Sequence, residues 1–275
     1  MVKNLSWQDE IEEKYIKTNG IKLHTVIIGH GEPLILLHGF PDFWFGWKKL
    51  IPLIKDNYQL IVPDMRGYNL SDRPEGVENY CMELLIEDIH GLIEHFNFEK
   101  VYLAGHDWGG VLSWCIAEKY PNTIKKLAII NAPHLKIFQD KLKNDEAQIK
   151  ASSYIARFLQ PGSEKVILAN NFQVLRPDLK EDGDKYLAAW SQPGAIVGGI
   201  NYYRANMDYE DWTGIIKMPT LVIHGMKDGA ILPVVLDGLK NYVKDLKIVH
   251  ADELGHSAQK EDPKMVASEF KAFFE

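Results

Sequence analysis

The sequence predicts an α/β fold, a mostly parallel sheet flanked by helices, with a helical insert seated over one end of the sheet. Three observations predict it. Short, continuously apolar runs alternate with helical periodicities, the pattern of strands covered on both faces by helices. One such run, Val101 to Ala104, empties into Gly105-His106-Asp107-Trp108-Gly109-Gly110 and then a helix, so one residue is pinned between glycines at a sharp strand-to-helix corner. Finally, the alternation stops after His134 and resumes only at Pro219, and helical fragments rich in Lys, Gln, Tyr and Trp fill the gap.

The elements follow in order. Ile21 to Ile28 reads as an early hairpin strand opened by the turn pair Asn19-Gly20. Pro33 to Leu37 is a buried strand that runs into His38-Gly39-Phe40-Pro41 and the aromatic stretch Phe43 to Trp47, then a helix ending near Lys55. Tyr58 to Val62 is the next buried strand, followed by Pro63-Asp64-Met65-Arg66-Gly67-Tyr68. Met82 to Phe96 places its apolar residues at helical spacing. The strand at 101–104, the Asp107 corner, a helix over Val111 to Tyr120 and a strand at Leu127 to Ile130 complete the first part. After the insert, Pro219 to Ile223 and Leu246 to Val249 resume the sheet, and a helix from Pro263 closes the chain. The expected organisation is a core formed by residues 1–134 and 212–275, interrupted by a helical cap at 135–211. Pro161-Gly162, Pro177 and Pro193-Gly194 punctuate that cap.

Composition narrows the partners. Hydrophobic residues make up 46% of the 275 residues and charged residues 25%, as in ordinary globular proteins. A net charge of −7 argues against nucleic acid and anionic membrane surfaces. The first ten residues contain no apolar core of a signal peptide, and no run reaches membrane-spanning length, so a cytoplasmic location is the default expectation. Cys81 and Cys115 fall inside predicted helices and read as buried, reduced thiols. The chain has no ligand cluster at metal spacing and no phosphate-cradling glycine loop, so no metal or other cofactor is expected.

Ligand sites in parallel α/β sheets form at the C-terminal ends of the strands. Four polar features fall there: His38-Gly39-Phe40-Pro41, Asp107, Asp228 and His256. Their order, nucleophile then acid then histidine, resembles that of the α/β-hydrolase fold. The sequence resembles the epoxide hydrolases in particular. Gly105 to Gly110 matches their elbow, with aspartate where most of the superfamily carries serine. His38 to Pro41 matches their oxyanion segment, and Pro63 to Tyr68 a further family stretch. Asn201-Tyr202-Tyr203-Arg204 and Ser153 to Phe158 resemble the two cap segments that supply paired tyrosines.

That resemblance implies a cofactor-independent hydrolase turning a small-molecule epoxide into a vicinal diol, and the aromatic residues expected around the site suggest a hydrophobic one. Asp107 is the implied nucleophile, and a carboxylate with an ordinary pKa near ~3.9 needs no base to activate it. His256 is the implied base for hydrolysis of the resulting ester, oriented by Asp228. Backbone N–H groups of Phe40 and Trp108 are the implied oxyanion donors. Tyr154 and Tyr203 are the implied proton donors to the ring oxygen. Pro41, Trp44 and His106, with the Phe40 side chain, are expected around the substrate. Haloalkane and haloacetate dehalogenases share the aspartate nucleophile and stand as the alternative. Trp108 matches their halide-binding tryptophan, and a cap residue such as Trp190 is the candidate second donor. The arginines that hold fluoroacetate have Trp108 and Val111 in their places. A non-catalytic ligand-binding protein on the same fold is the remaining alternative.

Overall fold

The computed structural model describes residues 6–175, 182–210 and 212–275. Met1 to Leu5, Pro177 and Asp211 lie outside the described residues. Eight strands form one sheet: β1 (Glu12–Thr18), β2 (Ile21–Ile28), β3 (Glu32–Leu37), β4 (Tyr58–Pro63), β5 (Val101–His106), β6 (Ile124–Ile130), β7 (Thr220–Gly225) and β8 (Leu246–Ala251). Their order is β1-β2-β4-β3-β5-β6-β7-β8. Only the β1–β2 and β2–β4 pairings are antiparallel; β4, β3 and β5 to β8 run parallel. The C-terminal ends of these parallel strands therefore open at one edge, where His38, Asp107, Asn131, Asp228 and His256 follow their strands.

The alternation of strand side chains divides the core in two. Ile35, Leu37, Ile61, Leu103 and Leu127 face α2 (Met82–His95) and α3 (Trp108–Lys119). Leu34, Leu36, Leu60, Val62 and Ala104 face the other side, with Ile51 and Ile54 of the short α1 (Ile51–Ile54). At a typical gain of ~25 cal/mol per Å² of apolar area removed from water, these two faces are the dominant favourable term in folding. α3 buries every residue from Trp108 to Ala117, which explains why its sequence has few polar positions. Cys115 is buried there, whereas Cys81 is the N-cap residue of α2 and only partly buried, a correction to its expected place inside a helix.

Between β6 and β7 the described residues form helices and no strand: α4 (Leu135–Asn144), α5 (Glu146–Ala151), α6 (Ser153–Phe158), α7 (Ser163–Leu168), α8 (Gly183–Trp190) and α9 (Ala195–Asn206). α9 meets the core through paired glycines. A Cβ on Gly198 would lie 2.7 Å from the Gly67 carbonyl oxygen, and one on Gly199 would lie 2.5 Å from the Phe40 ring. Hydrogen bonds from Tyr202 Oη to the Arg66 carbonyl (2.9 Å) and from Arg73 Nε to the Pro193 carbonyl (2.8 Å) fix the same junction. After β8 come α10 (Ala258–Glu261) and α11 (Pro263–Phe274), which contributes Val266, Phe270 and Phe274 to the core face that α1 also covers. No helix among the described residues is long and apolar enough to cross a membrane.

Candidate active site

Asp107 stands at the corner between β5 and α3 with φ 50° and ψ −124°, a conformation in which an L-residue is strained. Such strain costs of order 1–3 kcal/mol and persists only where the surroundings over-determine it. The glycines do so. A Cβ on Gly105 would sit 2.2 Å from the Gly109 carbonyl oxygen, and one on Gly109 would sit 2.3 Å from that of Leu37. A Cβ on Gly110 would likewise lie 2.3 Å from that of Ala132. Helix and strands thus approach to backbone distance, and the Asp107 carboxylate is left at the sheet edge, 12% exposed.

Its two oxygens have different partners. Oδ1 accepts the Phe40 N–H at 2.7 Å, an approach that Gly39 permits because a Cβ there would lie 2.2 Å from the same oxygen. Oδ2 lies 3.5 Å from His256 Nε2. The other imidazole nitrogen, Nδ1, donates to Asp228 Oδ2 at 2.7 Å. Asp228 is itself saturated: Oδ1 accepts the N–H groups of Ala230 (2.8 Å) and Ile231 (3.0 Å), and Oδ2 also accepts from Asn131 Nδ2 (2.9 Å). Burial works against its charge, but these donors and His256 outweigh it and hold Asp228 at about 2. For His256, burial favours the neutral form, yet hydrogen bonds and charge from Asp107 and Asp228 raise it to about 10. Asp107 is held below the ordinary carboxylate value because His256 overcomes the penalty of burial. The resting site is therefore a carboxylate–imidazolium–carboxylate array.

Two tyrosines from the helices between β6 and β7 lie beside this array. Tyr203 on α9 meets the Trp108 ring edge-on at 5.0 Å and the Phe40 ring at 6.0 Å, and Tyr154 on α6 lies 6.1 Å from Tyr203. Burial first raises both phenols well above the usual value, followed by the Asp107 charge for Tyr154 and by Tyr154 and then Asp107 for Tyr203, so both remain protonated donors at neutral pH. Phe158 closes the cluster, packing on Phe40, Tyr154 and Tyr203.

Comparison with known proteins gives the family. A family model described as alpha/beta hydrolase fold matches residues 32–263. The AB hydrolase superfamily protein YfhM of Bacillus subtilis (strain 168) is 36% identical over 94% of this chain and 96% of its own. Human epoxide hydrolase 4 is 33% identical over 91% of this chain and 75% of its own. The crystal structure of Bacillus megaterium epoxide hydrolase in complex with an inhibitor superposes with a TM-score of 0.90 at 30% identity, covering 95% of this chain and 99% of that one. The chain belongs to the epoxide hydrolase family of the α/β-hydrolase superfamily.

Not every residue expected in this α/β-hydrolase site has the same surroundings. Pro41 lines a small cavity with Phe40, Tyr68, Trp190 and Ile196. Trp44 packs its ring on Phe43 and Phe45, and its backbone N–H donates to Asp64 Oδ1. His106 is buried, and its Nε2 hydrogen-bonds the His256 carbonyl oxygen at 2.8 Å, so it supports the loop carrying that residue. Burial and the His256 charge lower His106 to about 4, which keeps it neutral. Trp190 donates its indole N–H to the Pro41 carbonyl at 2.6 Å. Asn131 is a site residue that the sequence does not announce. Its one legible signal is a polar residue at a strand end, and its partner Asp228 is remote in sequence.

The titration of His256 has a consequence for rates. An imidazolium cannot act as a base, but esterification of Asp107 would remove one of the two charges that hold the proton on. His256 would then lose its proton more readily at the stage that needs a base. Asp107 stays ionised in mild acid, so ester formation is expected to persist there while ester breakdown slows. Rapid-quench mass spectrometry should find a larger esterified fraction at about pH 5 than at about pH 8.

Proposed function

We propose that this protein is an epoxide hydrolase working through a covalent Asp107 ester, on a hydrophobic small-molecule epoxide. The observation that carries this reading is the pair of protonated phenols facing the Asp107 carboxylate. A ring oxygen leaving as an alkoxide is strongly basic and needs a proton, whereas a departing halide needs only N–H donors. The Trp190 indole N–H, the candidate second halide donor, is already committed to the Pro41 carbonyl. This favours the epoxide over the haloalkane.

In the first step a carboxylate oxygen of Asp107 attacks a ring carbon, the C–O bond breaks, and the ring oxygen takes a proton from Tyr154 or Tyr203. In the second, the His256 imidazolium gives up its proton, which restores the phenol, and neutral His256 then takes a proton from the water that attacks the ester carbonyl. The developing oxyanion is received by the N–H groups of Phe40 and Trp108, donors already fixed in place before the charge appears. Collapse expels the diol oxygen, which takes the proton from His256, and the Asp107 carboxyl proton then passes to His256 to restore the carboxylate–imidazolium pair. Asp228 holds the imidazole and balances its charge. The helical segment 135–211 is read as a cap carrying the phenols over a core of 1–134 and 212–275.

The test is diol release from styrene oxide beside halide release from a haloalkane and from fluoroacetate, for the wild type and Tyr203→Phe. The expected result is diol without halide, with a fall of about 10²-fold or more in the variant. Halide release indifferent to Tyr203 would move the protein to the dehalogenases.

A further inference from the structure

Arg204 follows Tyr203 on α9, and its side chain is committed to the neighbouring helices. Nε donates to the carbonyl of Phe158, the last residue of α6, at 3.2 Å. Nη2 faces the Gln160 carbonyl (3.1 Å), Ser163 Oγ (3.1 Å) and Glu164 Oε2 (2.8 Å) at the turn into α7. Nη1 lies 3.5 Å from Asn201 Oδ1. The Arg204–Glu164 pair is mostly buried, with side chains 17% and 19% exposed. Carbonyls in the last turn of a helix have no intrahelical partner, and the rigid guanidinium fork can satisfy several acceptors in one geometry.

What this fork holds matters to the chemistry. Tyr154 sits one turn before Phe158 on α6, a helix of 6 residues. So short a helix is not stable alone and takes its position from what it is tied to. Tyr203 sits on the helix doing the tying.

We propose that Arg204 is a positioning residue for ring opening. By binding the C-terminal end of α6 to α9, it keeps the Tyr154 hydroxyl against that of Tyr203, so both phenols can meet one oxygen. The proposal rests on the tyrosines being the proton donors in ring opening.

Ester breakdown uses Asp107, His256, Asp228 and two backbone N–H groups, none of them on α6 or α9. Slack in α6 therefore slows ester formation and spares ester breakdown. The experiment is a double-mutant cycle with Arg204→Met and Tyr154→Phe, following ester formation and decay from styrene oxide in single turnovers by rapid-quench mass spectrometry. Arg204→Met is expected to slow formation by roughly ten- to a hundredfold and leave decay within about twofold. In the Tyr154→Phe background the same substitution should change formation by less than about twofold. Equal losses in both backgrounds, or formation and decay slowed together, would overturn the proposal. So would full-speed ester formation by Arg204→Met when Tyr154→Phe is slow. If Tyr154→Phe forms ester at the wild-type rate, the tyrosine reading itself is wrong and the positioning role goes with it. Should Arg204→Met fail to fold, Glu164→Gln carries the cycle. It keeps the fork and weakens its anchor, and the same non-additivity is expected at smaller size.

Discussion

His256→Gln is expected to stop after one chemical step. The variant keeps Asp107, the Phe40 N–H and both phenols, so the first equivalent of epoxide should still open. No base then remains to activate water, and the protein should accumulate as the ester with steady-state diol release down by about 10²–10⁴-fold. Intact-mass measurement after brief mixing with styrene oxide checks this directly. A single adduct, mapped by proteolysis to the peptide containing Asp107, is the expected product. An unmodified variant with near-normal turnover would remove His256 from the mechanism. Because glutamine cannot balance Asp228, the folded state of the variant should be verified by circular dichroism before the kinetics are read.

Asp107→Ala is expected to have the larger effect. Removing the nucleophile abolishes both the ester and the resting array around His256, and turnover should fall by about 10⁴-fold or more, with no adduct. Any residual diol would reflect direct attack by water, which the site is not built to orient. Alanine at a backbone with φ 50° remains strained, but it removes the carboxylate next to the imidazolium. The thermal midpoint of this variant is therefore a useful control. A loss of activity without a large loss of stability separates chemistry from folding.

Much of the fold is legible in the sequence because its centre is apolar on all sides. β3, β5 and β7 are continuous buried runs, and the glycines around Asp107 announce close packing that the structure contains at backbone distance. β1 is not legible. Its residues Glu12 to Tyr15 are exposed at the sheet edge, so no apolar pattern marks it, and it is held by backbone pairing with β2. α3 begins at Trp108, three residues before the expected Val111, because glycines normally argue against helix. Here Gly109 and Gly110 fall in the first turn of the helix so that it can touch β3 and Ala132, just beyond β6.

The candidate site divides in the same way. Asp107, His256 and Asp228 can be read from position, since each follows a strand whose end must lie at the same edge. What cannot be read are the groups that orient them through space. Asn131 reaches Asp228 across the strand ends, and His106 carries the His256 loop by a bond to its carbonyl oxygen. Trp190, a candidate halide donor by residue type, is committed to Pro41. Residue type shows what a side chain can do, but only the packing of the insert decides which partner occupies it.

The central claim is that the oxygen delivered to the diol comes from Asp107 and not from solvent. One measurement tests it most directly: a single turnover of styrene oxide in heavy-oxygen water, with protein in excess, followed by mass analysis of both the diol and the peptide containing Asp107. The covalent route leaves the diol unlabelled and deposits one heavy oxygen in the Asp107 carboxylate, because water attacks the ester carbonyl. A labelled diol and an unlabelled peptide would mean that water attacks the epoxide itself, and the covalent mechanism would be wrong.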